Sequence, residues 1–200
     1  MERDATDAGA DPKSGRRHGV LWCTIVRMAD VTGLRLRPLR LDDEAVCVAA
    51  HAELAVDRFP FLLDHRPSEP WAEFVSRLDR HRRGIDLPPD RVPAALLLAE
   101  VDKTVVGRAS VRFELNEYLA AYAGHVGYGV LAAHRGRGHA TEILRQSLII
   151  ARSEGVGRVL VTCDHDNDAS AAVIERNGGV FESCVDDPTD GIAKRRFWID

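Results

Sequence analysis

No two of the four cysteines in this 200-residue chain, Cys23, Cys47, Cys163 and Cys184, stand in a C-x-x-C pair. That argues against a zinc knuckle, and four scattered thiols do not make a secreted disulfide scaffold. No metal site is expected. Positive charge is not in excess: Lys and Arg number 27 against 31 Asp and Glu, for a net charge of −4 and a pI near 6.1. A basic nucleic-acid surface over the whole chain is not expected. Long apolar runs are missing too. No stretch approaches the ~20 residues of a membrane span, so no membrane partner is expected. A P-loop requires Gly-Lys-Ser/Thr after its glycines, and that tripeptide does not occur.

What is present is ordinary globular composition, 45% apolar and 29% charged. A chain of this length builds a core without disulfides. Residues 1–29 are rich in Asp, Gly, Ala and Arg without periodicity and read as a disordered leader. Arg16-Arg17 precedes an apolar run, but Arg27 interrupts it, which disfavours an export signal; a cytoplasmic protein is expected. Residues 30–200 read as a single domain.

Alternation predicts a strand over Gly33–Leu39, and the Ala-rich segment from Glu44 to Val56 predicts a helix after Asp42. Arg58–Pro70 reads as a loop, Trp71–Arg83 as an amphipathic helix and Gly84–Pro93 as another loop. Ala95–Val101 and a long alternating run from Val105 to Leu115 form an antiparallel hairpin about Asp102-Lys103. Asn116–Gly124 reads as a loop and His125–Leu131 as a strand. Gly138–Ser153 carries the strongest helical stripe. Arg158–Cys163 reads as a buried strand, and a short helix capped by Asn167 or Asp168 stops at Asn177-Gly178-Gly179. Val180–Val185 and Ala193–Ile199 are strands joined by Asp186–Gly191. The order predicts an α+β fold around one mixed, mainly antiparallel sheet flanked by helices.

The chemistry sits in Val130-Leu131-Ala132-Ala133-His134-Arg135-Gly136-Arg137-Gly138-His139-Ala140-Thr141, between a strand and the strongest helix. Unpaired N–H groups at a helix start, with the helix dipole behind them, attract anions. Gly136 and Gly138 permit close backbone approach, and Arg135 and Arg137 add cationic donors. A phosphate-bearing ligand is expected here. A dinucleotide fingerprint is the competing design, since Gly136-x-Gly138-x-x-Thr141 lacks only its third glycine and Asp164 follows the next strand. Antiparallel strands precede the motif, however, and too little chain follows it for the usual second half.

Arg135-Gly136-Arg137-Gly138-His139-Ala140 matches Q/R-x-x-G-x-G/A and resembles the acyl-CoA pyrophosphate loop of the GCN5-related N-acetyltransferase (GNAT) family. The resemblance extends from Leu34 to Asp200 in element order. Four segments, from His125 to Val130, Thr162 to Asn167, Ile174 to Gly179 and Arg195 to Ile199, are similar to a subgroup of predicted acetyltransferases of unassigned acceptor. The resemblance implies the GNAT fold and acetyl-CoA as co-substrate. It implies pantetheine paired with the main chain of Val130, Leu131 and Ala132, and pyrophosphate on the N–H groups of Arg135, Gly136, Arg137, Gly138, His139 and Ala140, with Thr141 opening the helix. Asn167 and Ser170 would lie along the pantetheine arm. Many relatives carry a tyrosine four residues beyond that serine, acting as acid toward the leaving thiolate; here the position is Ile174.

The reaction so implied is direct attack of an unidentified small-molecule or peptide amine on the thioester, in a protein that is a monomer or homodimer. The alternative is a non-catalytic acyl-CoA sensor. Candidate catalytic residues are Glu114, on the polar face of its strand, His125 and Tyr128. Glu114 with Arg108 and Arg112 also reads as a cross-strand ion network, and Tyr128 as a packed core residue. The oxyanion would rest on a backbone N–H near Leu131. Cys163 is a conceivable covalent nucleophile but reads as core packing. Asp186, Asp187 and Asp190 read as a solvated acidic turn, or alternatively as a receptor for a cationic amine.

Overall fold

The computed structural model describes residues 33–200. The expected leader lies outside the described residues. A strand β1 (Leu34–Pro38) is followed by a 3-10 turn (Leu41–Asp43) and helices α1 (Glu44–Ala55) and α2 (Trp71–Arg82). Strands β2 (Ala94–Val101), β3 (Thr104–Arg112) and β4 (Val126–Val130) come next, then α3 (His139–Ser153), β5 (Val159–Asp164), α4 (Asp168–Arg176), β6 (Val180–Asp186) and β7 (Ala193–Ile199). They form one seven-stranded sheet in the order β1-β2-β3-β4-β5-β7-β6. Every pairing is antiparallel except β4 with β5. Among the described residues no helix is long and apolar enough to cross a membrane.

Both faces of the sheet are covered, giving three layers. Strands β2 and β3 are buried along nearly their whole length, as central strands clad on both faces must be. On one face Ile143, Leu144 and Leu148 of α3 and Ile174 of α4 pack on Val111, Val126, Val159 and Val161. On the other, Cys47, Ala50 and Leu54 of α1, at helical spacing, meet Phe61, Trp71, Phe74, Leu96 and Leu98. The loop between α1 and α2 therefore lies over this second face, through Phe59, Phe61 and Leu62.

One buried ionic knot joins β1, β2 and the turn before α1. Arg37 donates to both Asp43 oxygens, at 2.6 and 2.8 Å, and also to Glu100, which Arg35 approaches from outside. Burial by itself raises both carboxyls, yet the guanidiniums hold Asp43 and Glu100 below their usual range.

The structure corrects three local expectations. Strand β3 ends at Arg112 rather than running to Leu115: its partner β2 begins at Ala94, and the last rung is Phe113 N–H to the carbonyl of Pro93 at 2.9 Å, a residue with no N–H to carry the ladder further. Glu114 consequently lies beyond the strand, exposed, in a bend. The segment before β4 is not a plain loop. Asn116 Oδ1 accepts from Leu119 N–H at 2.9 Å and starts a wide helical turn over Leu119–Ala123, closed by Gly124 at φ 62°. Lastly, the acidic turn is not simply solvated. Asp187 is 2% exposed and accepts from the Tyr118 hydroxyl at 3.0 Å and Thr189 N–H at 2.9 Å, while Asp190 pairs with Lys194 at 2.7 Å.

Candidate acyl-CoA and acceptor site

Strands β4 and β5 pair in parallel at a single position, Val126 with Val161, and then separate. His125 holds the start of this pairing: its N–H donates to the Leu160 carbonyl at 2.7 Å and its Nδ1 accepts from Leu160 N–H at 2.9 Å. Burial pushes the imidazole pKa down, with nearby Arg112 adding to the effect, so His125 sits neutral in the fold. Beyond Val126, among the described residues, β4 makes no further strand pairing on that side.

Antiparallel pairing alternates, so the residues of β4 that bond to β3 leave the others facing the gap. Leu131 N–H donates to the Val106 carbonyl at 3.0 Å, which fixes the phase. The amide groups of Tyr128 and Val130 thus face β5. The expected trio divides here. Val130 faces the gap, although its carbonyl takes the Arg135 Nε at 3.0 Å. Leu131 N–H is already engaged with β3. Ala132 N–H donates to the Glu53 carboxylate at 2.7 Å.

Past β4 the chain makes a 3-10 turn (Ala132–His134), then reverses through Gly136 at φ 73° and Gly138 at φ 79° into α3. Only glycine adopts this backbone without strain. Glu142 N–H is the first in α3 with a main-chain acceptor, the Gly138 carbonyl at 3.2 Å. Among the described residues the N–H groups from Gly136 to Thr141 have none, and Arg137 stands exposed beside them. Arg135 instead reaches back to Asp57, so Glu53 and Asp57 of the α1 region both engage the turn. His139 lies 6.5 Å from His134, ring to ring; partial burial, then the neighbouring His134 and Arg137, lowers its pKa.

Across the gap, Asn167 caps α4 by accepting from Ser170 N–H at 2.9 Å. The Tyr128 hydroxyl lies 2.9 Å from the Ser170 hydroxyl. Burial raises the phenol to about 12, against the opposing hydrogen bond to Ser170. Cys163, one residue before the end of β5, lies nearby, 7% exposed, its thiol pushed up by burial although Arg195 pulls the other way. Ile174 is fully buried in the core under α4.

The opposite face of β4 is glycine-lined. Gly127 and Gly129 look toward the α1–α2 loop, and a side chain at Gly129 would begin 2.5 Å from the Phe59 ring. Arg108, from the facing strand, lies under that ring at 4.2 Å and donates to the Pro60 carbonyl at 2.6 Å. The expected ion network with Glu114 is not formed. Arg112 donates to the Gly124 carbonyl at 3.1 Å and the Ala123 carbonyl at 3.3 Å instead. Alternation had put both arginines on a polar face; nothing local in the sequence signals the loop that buries it.

The family described as acetyltransferase (GNAT) domain matches residues 33–180, and the chain belongs to this family of acetyltransferases. Its fold is shared with solved structures of low sequence identity. RimJ of Mycobacterium smegmatis, solved with CoA-disulfide, is 19% identical with a TM-score of 0.63, covering 83% of this chain and 81% of that one. RimL, a ribosomal L7/L12 alpha-N-protein acetyltransferase solved with coenzyme A bound as a disulfide to its own cysteine, is 18% identical with a TM-score of 0.60, covering 84% and 94%. The microcin C7 self-immunity acetyltransferase MccE, solved with acetyl-CoA and AMP, is 16% identical with a TM-score of 0.62, covering 84% and 92%. No curated protein matches the sequence.

Proposed function

We infer that the protein transfers the acetyl group of acetyl-CoA to a primary amine of a small molecule or peptide, by direct attack in a ternary complex. The observation that carries this reading is the parting of β4 from β5 just before a turn whose N–H groups from Gly136 to Thr141 have no acceptor among the described residues. An extended pantetheine arm fits the first feature by strand addition, and a pyrophosphate fits the second. The three solved relatives named above carry CoA or acetyl-CoA.

In this reading Val130 pairs with the pantetheine arm through its main chain, with Leu131 and Ala132 shaping the exit of the strand. The N–H groups from Gly136 to Ala140 cradle the pyrophosphate and Thr141 opens the helix beneath it, while Arg135 N–H, expected to join them, is taken by the Ala132 carbonyl at 3.3 Å. Asn167 and Ser170 flank the arm. Acetyl-CoA supplies an acyl carbon activated by its thioester. The acceptor nitrogen forms the new N–C bond as the C–S bond breaks, and the thiolate receives a proton while the amine loses one. Val130 N–H is the donor for the developing oxyanion, because Leu131 N–H already serves Val106.

Of the three candidate catalytic side chains, Tyr128 has its polar atom beside the arm-binding residues. With Ile174 buried, Tyr128 takes the donor role from the strand rather than the helix, its hydroxyl paired to Ser170. A thiolate with a pKa of about 8.5 leaves readily and needs only such a donor. Glu114 and His125 are the base candidates. His125 already engages Nδ1 with Leu160, and Glu114 is exposed beyond β3, seven residues along from the Gly107 that pairs with Val130, so solvent water is the route we assign to the amine proton.

Calorimetry with CoA, and thiol release from acetyl-CoA across a broad amine panel, test this reading. CoA binding with acceptor-dependent thiol release supports it. Binding with silence across the panel points to a sensor. A thermal shift with NADH and none with CoA would overturn it in favour of a dinucleotide.

A further inference from the structure

The acceptor face holds two guanidiniums without a carboxylate. Arg108 is 2% exposed, and its Nε has no hydrogen-bond partner. Its other nitrogens meet only the carbonyls of Pro60 at 2.6 Å and Gly127 at 3.4 Å. Arg112, four residues along the same face of β3, also meets only carbonyls. Most arginines of the fold that cross between elements find an acid: Arg37, Arg77, Arg195 and Arg196 each pair with one. Two buried cations side by side with no anion are costly unless an anion arrives. The charged groups around Arg112 do not supply one. Arg91 adds to the positive field, and Asp64, the nearby acid, is paired with Arg91.

There is also room. A side chain at Gly127 would meet nothing closer than the Arg112 nitrogens, at 3.9 Å, whereas Phe59 fills the space over Gly129. Gly127 thus leaves its face of β4 without a side chain beside the Arg112 guanidinium, and its carbonyl takes Arg108 Nη1 at 3.4 Å. It stands on the strand that lines the thioester gap.

We propose that the amine acceptor also carries an anionic group, a carboxylate or phosphate, which docks over Gly127 between Arg112 and Arg108. Strand rise places the anion about 10 Å from an amine at Val130, three residues along. The acceptor is therefore a chain of about eight bonds between an amine and a carboxylate or phosphate, longer than an α-amino acid, rather than a polyamine. Burial lowers both guanidiniums, Arg108 to about 9 and Arg112 to about 10, yet both stay cationic at neutral pH.

This proposal rests on the acetyl-transfer reading, and its test separates the two. The full chain with acetyl-CoA is assayed for thiol release on acceptors whose length matches that span: 8-aminooctanoate against 8-aminooctanamide, 6-aminohexyl phosphate against 6-aminohexanol, and spermidine. One anionic arm should exceed its neutral partner by about tenfold or more in kcat/KM, with spermidine poorest; the two arms tell carboxylate from phosphate. Arg112→Gln should raise KM for the anionic acceptor about ten- to hundredfold, leave CoA affinity unchanged by calorimetry, and collapse the anionic-to-neutral ratio toward one. Arg108→Lys keeps the charge if removal of Arg108 disrupts the α1–α2 loop, and should retain most of the ratio. Equal rates for acid and amide, or an unchanged ratio in Arg112→Gln, overturns the proposal while leaving acetyl transfer standing. Should no acceptor turn over, thermal shifts of the CoA-saturated protein decide. Anionic acceptors should raise the melting temperature of wild type and not of Arg112→Gln, and no shift in wild type overturns the anion site. Loss of CoA binding itself would sink the underlying reading instead.

Discussion

The Tyr128 hydroxyl meets the Ser170 hydroxyl at 2.9 Å, tying β4 to the first turn of α4 where the two parallel strands have parted. Position 174, one helical turn beyond Ser170, is an isoleucine with no exposure. A proton donor that the helix lacks is thus available from the strand.

Tyr128→Phe should lower kcat by about a hundredfold, at the low end for a positioned acid, with little change in CoA affinity. Because burial holds the phenol near about 12, it stays protonated through the neutral range. The wild-type rate should therefore show no alkaline fall from this group below pH ~10. Ser170→Ala should have a smaller effect in the same direction. Full kcat in Tyr128→Phe would assign the residue to packing alone.

Gly138 turns the chain at φ 79°, among the N–H groups that have no acceptor among the described residues. Gly138→Ala should cost about 1–2 kcal/mol of stability through the left-handed backbone. Gly138→Glu adds an anion where phosphate is expected and should abolish CoA binding in calorimetry, with the fold intact by circular dichroism. Unchanged affinity would refute the assigned phosphate position.

Cys163, one residue before the end of β5, has its thiol buried and its pKa raised, which leaves little thiolate at neutral pH. In direct transfer it is not acylated. Cys163→Ala should keep turnover within about threefold, and intact-mass measurement after acetyl-CoA alone should show no adduct on this residue. A covalent route would instead lose turnover by several orders of magnitude.

The element order and the glycine turn into α3 were legible because both are local. Hydrophobic period marks each strand and helix, and two glycines flanked by arginines mark the turn. What escaped was set by distant partners. The end of β3 depends on Pro93, twenty residues before Phe113. Asp187 is buried by a tyrosine 69 positions away, and Ala132 N–H is engaged by Glu53, 79 positions away. Arg108 and Arg112 stood on a polar face by alternation, but the packed α1–α2 loop closes over Arg108 through Phe59 and Pro60. The Glu114 network failed for the same reason, since the strand stops two residues short of it.

His125 gives a pH dependence of stability. Its pKa is lowered in the fold from the ordinary 6.5 by burial. In the window between the folded value and 6.5 the unfolded chain binds more protons, so stability falls as pH falls through it and is complete above it. Urea midpoints measured from pH ~8 down to ~5 should decline, and His125→Gln should make the decline shallower without removing it. His81 and His139, also lowered mainly by burial, supply the rest. An identical slope in His125→Gln would exclude the role.

Arg37 offers the sharpest test of the fold away from the site. Its guanidinium satisfies Asp43 with two bonds and Glu100 with a third, all three groups being nearly free of solvent. Arg37→Met leaves Asp43 with only the Arg40 N–H, at 2.6 Å, and leaves Glu100 with Arg35. Removing one partner of such a cluster strands a buried charge and should cost about 3–5 kcal/mol in urea unfolding. Arg37→Lys should recover little, because an ammonium cannot reproduce the planar fork that spans the two acids. The loss should be largest above the carboxyl range and shrink as pH falls below about 4, where protonated Asp43 and Glu100 no longer need the cation. A pH-independent loss would show that packing of the arginine stem, and not its charge, holds β1 to β2.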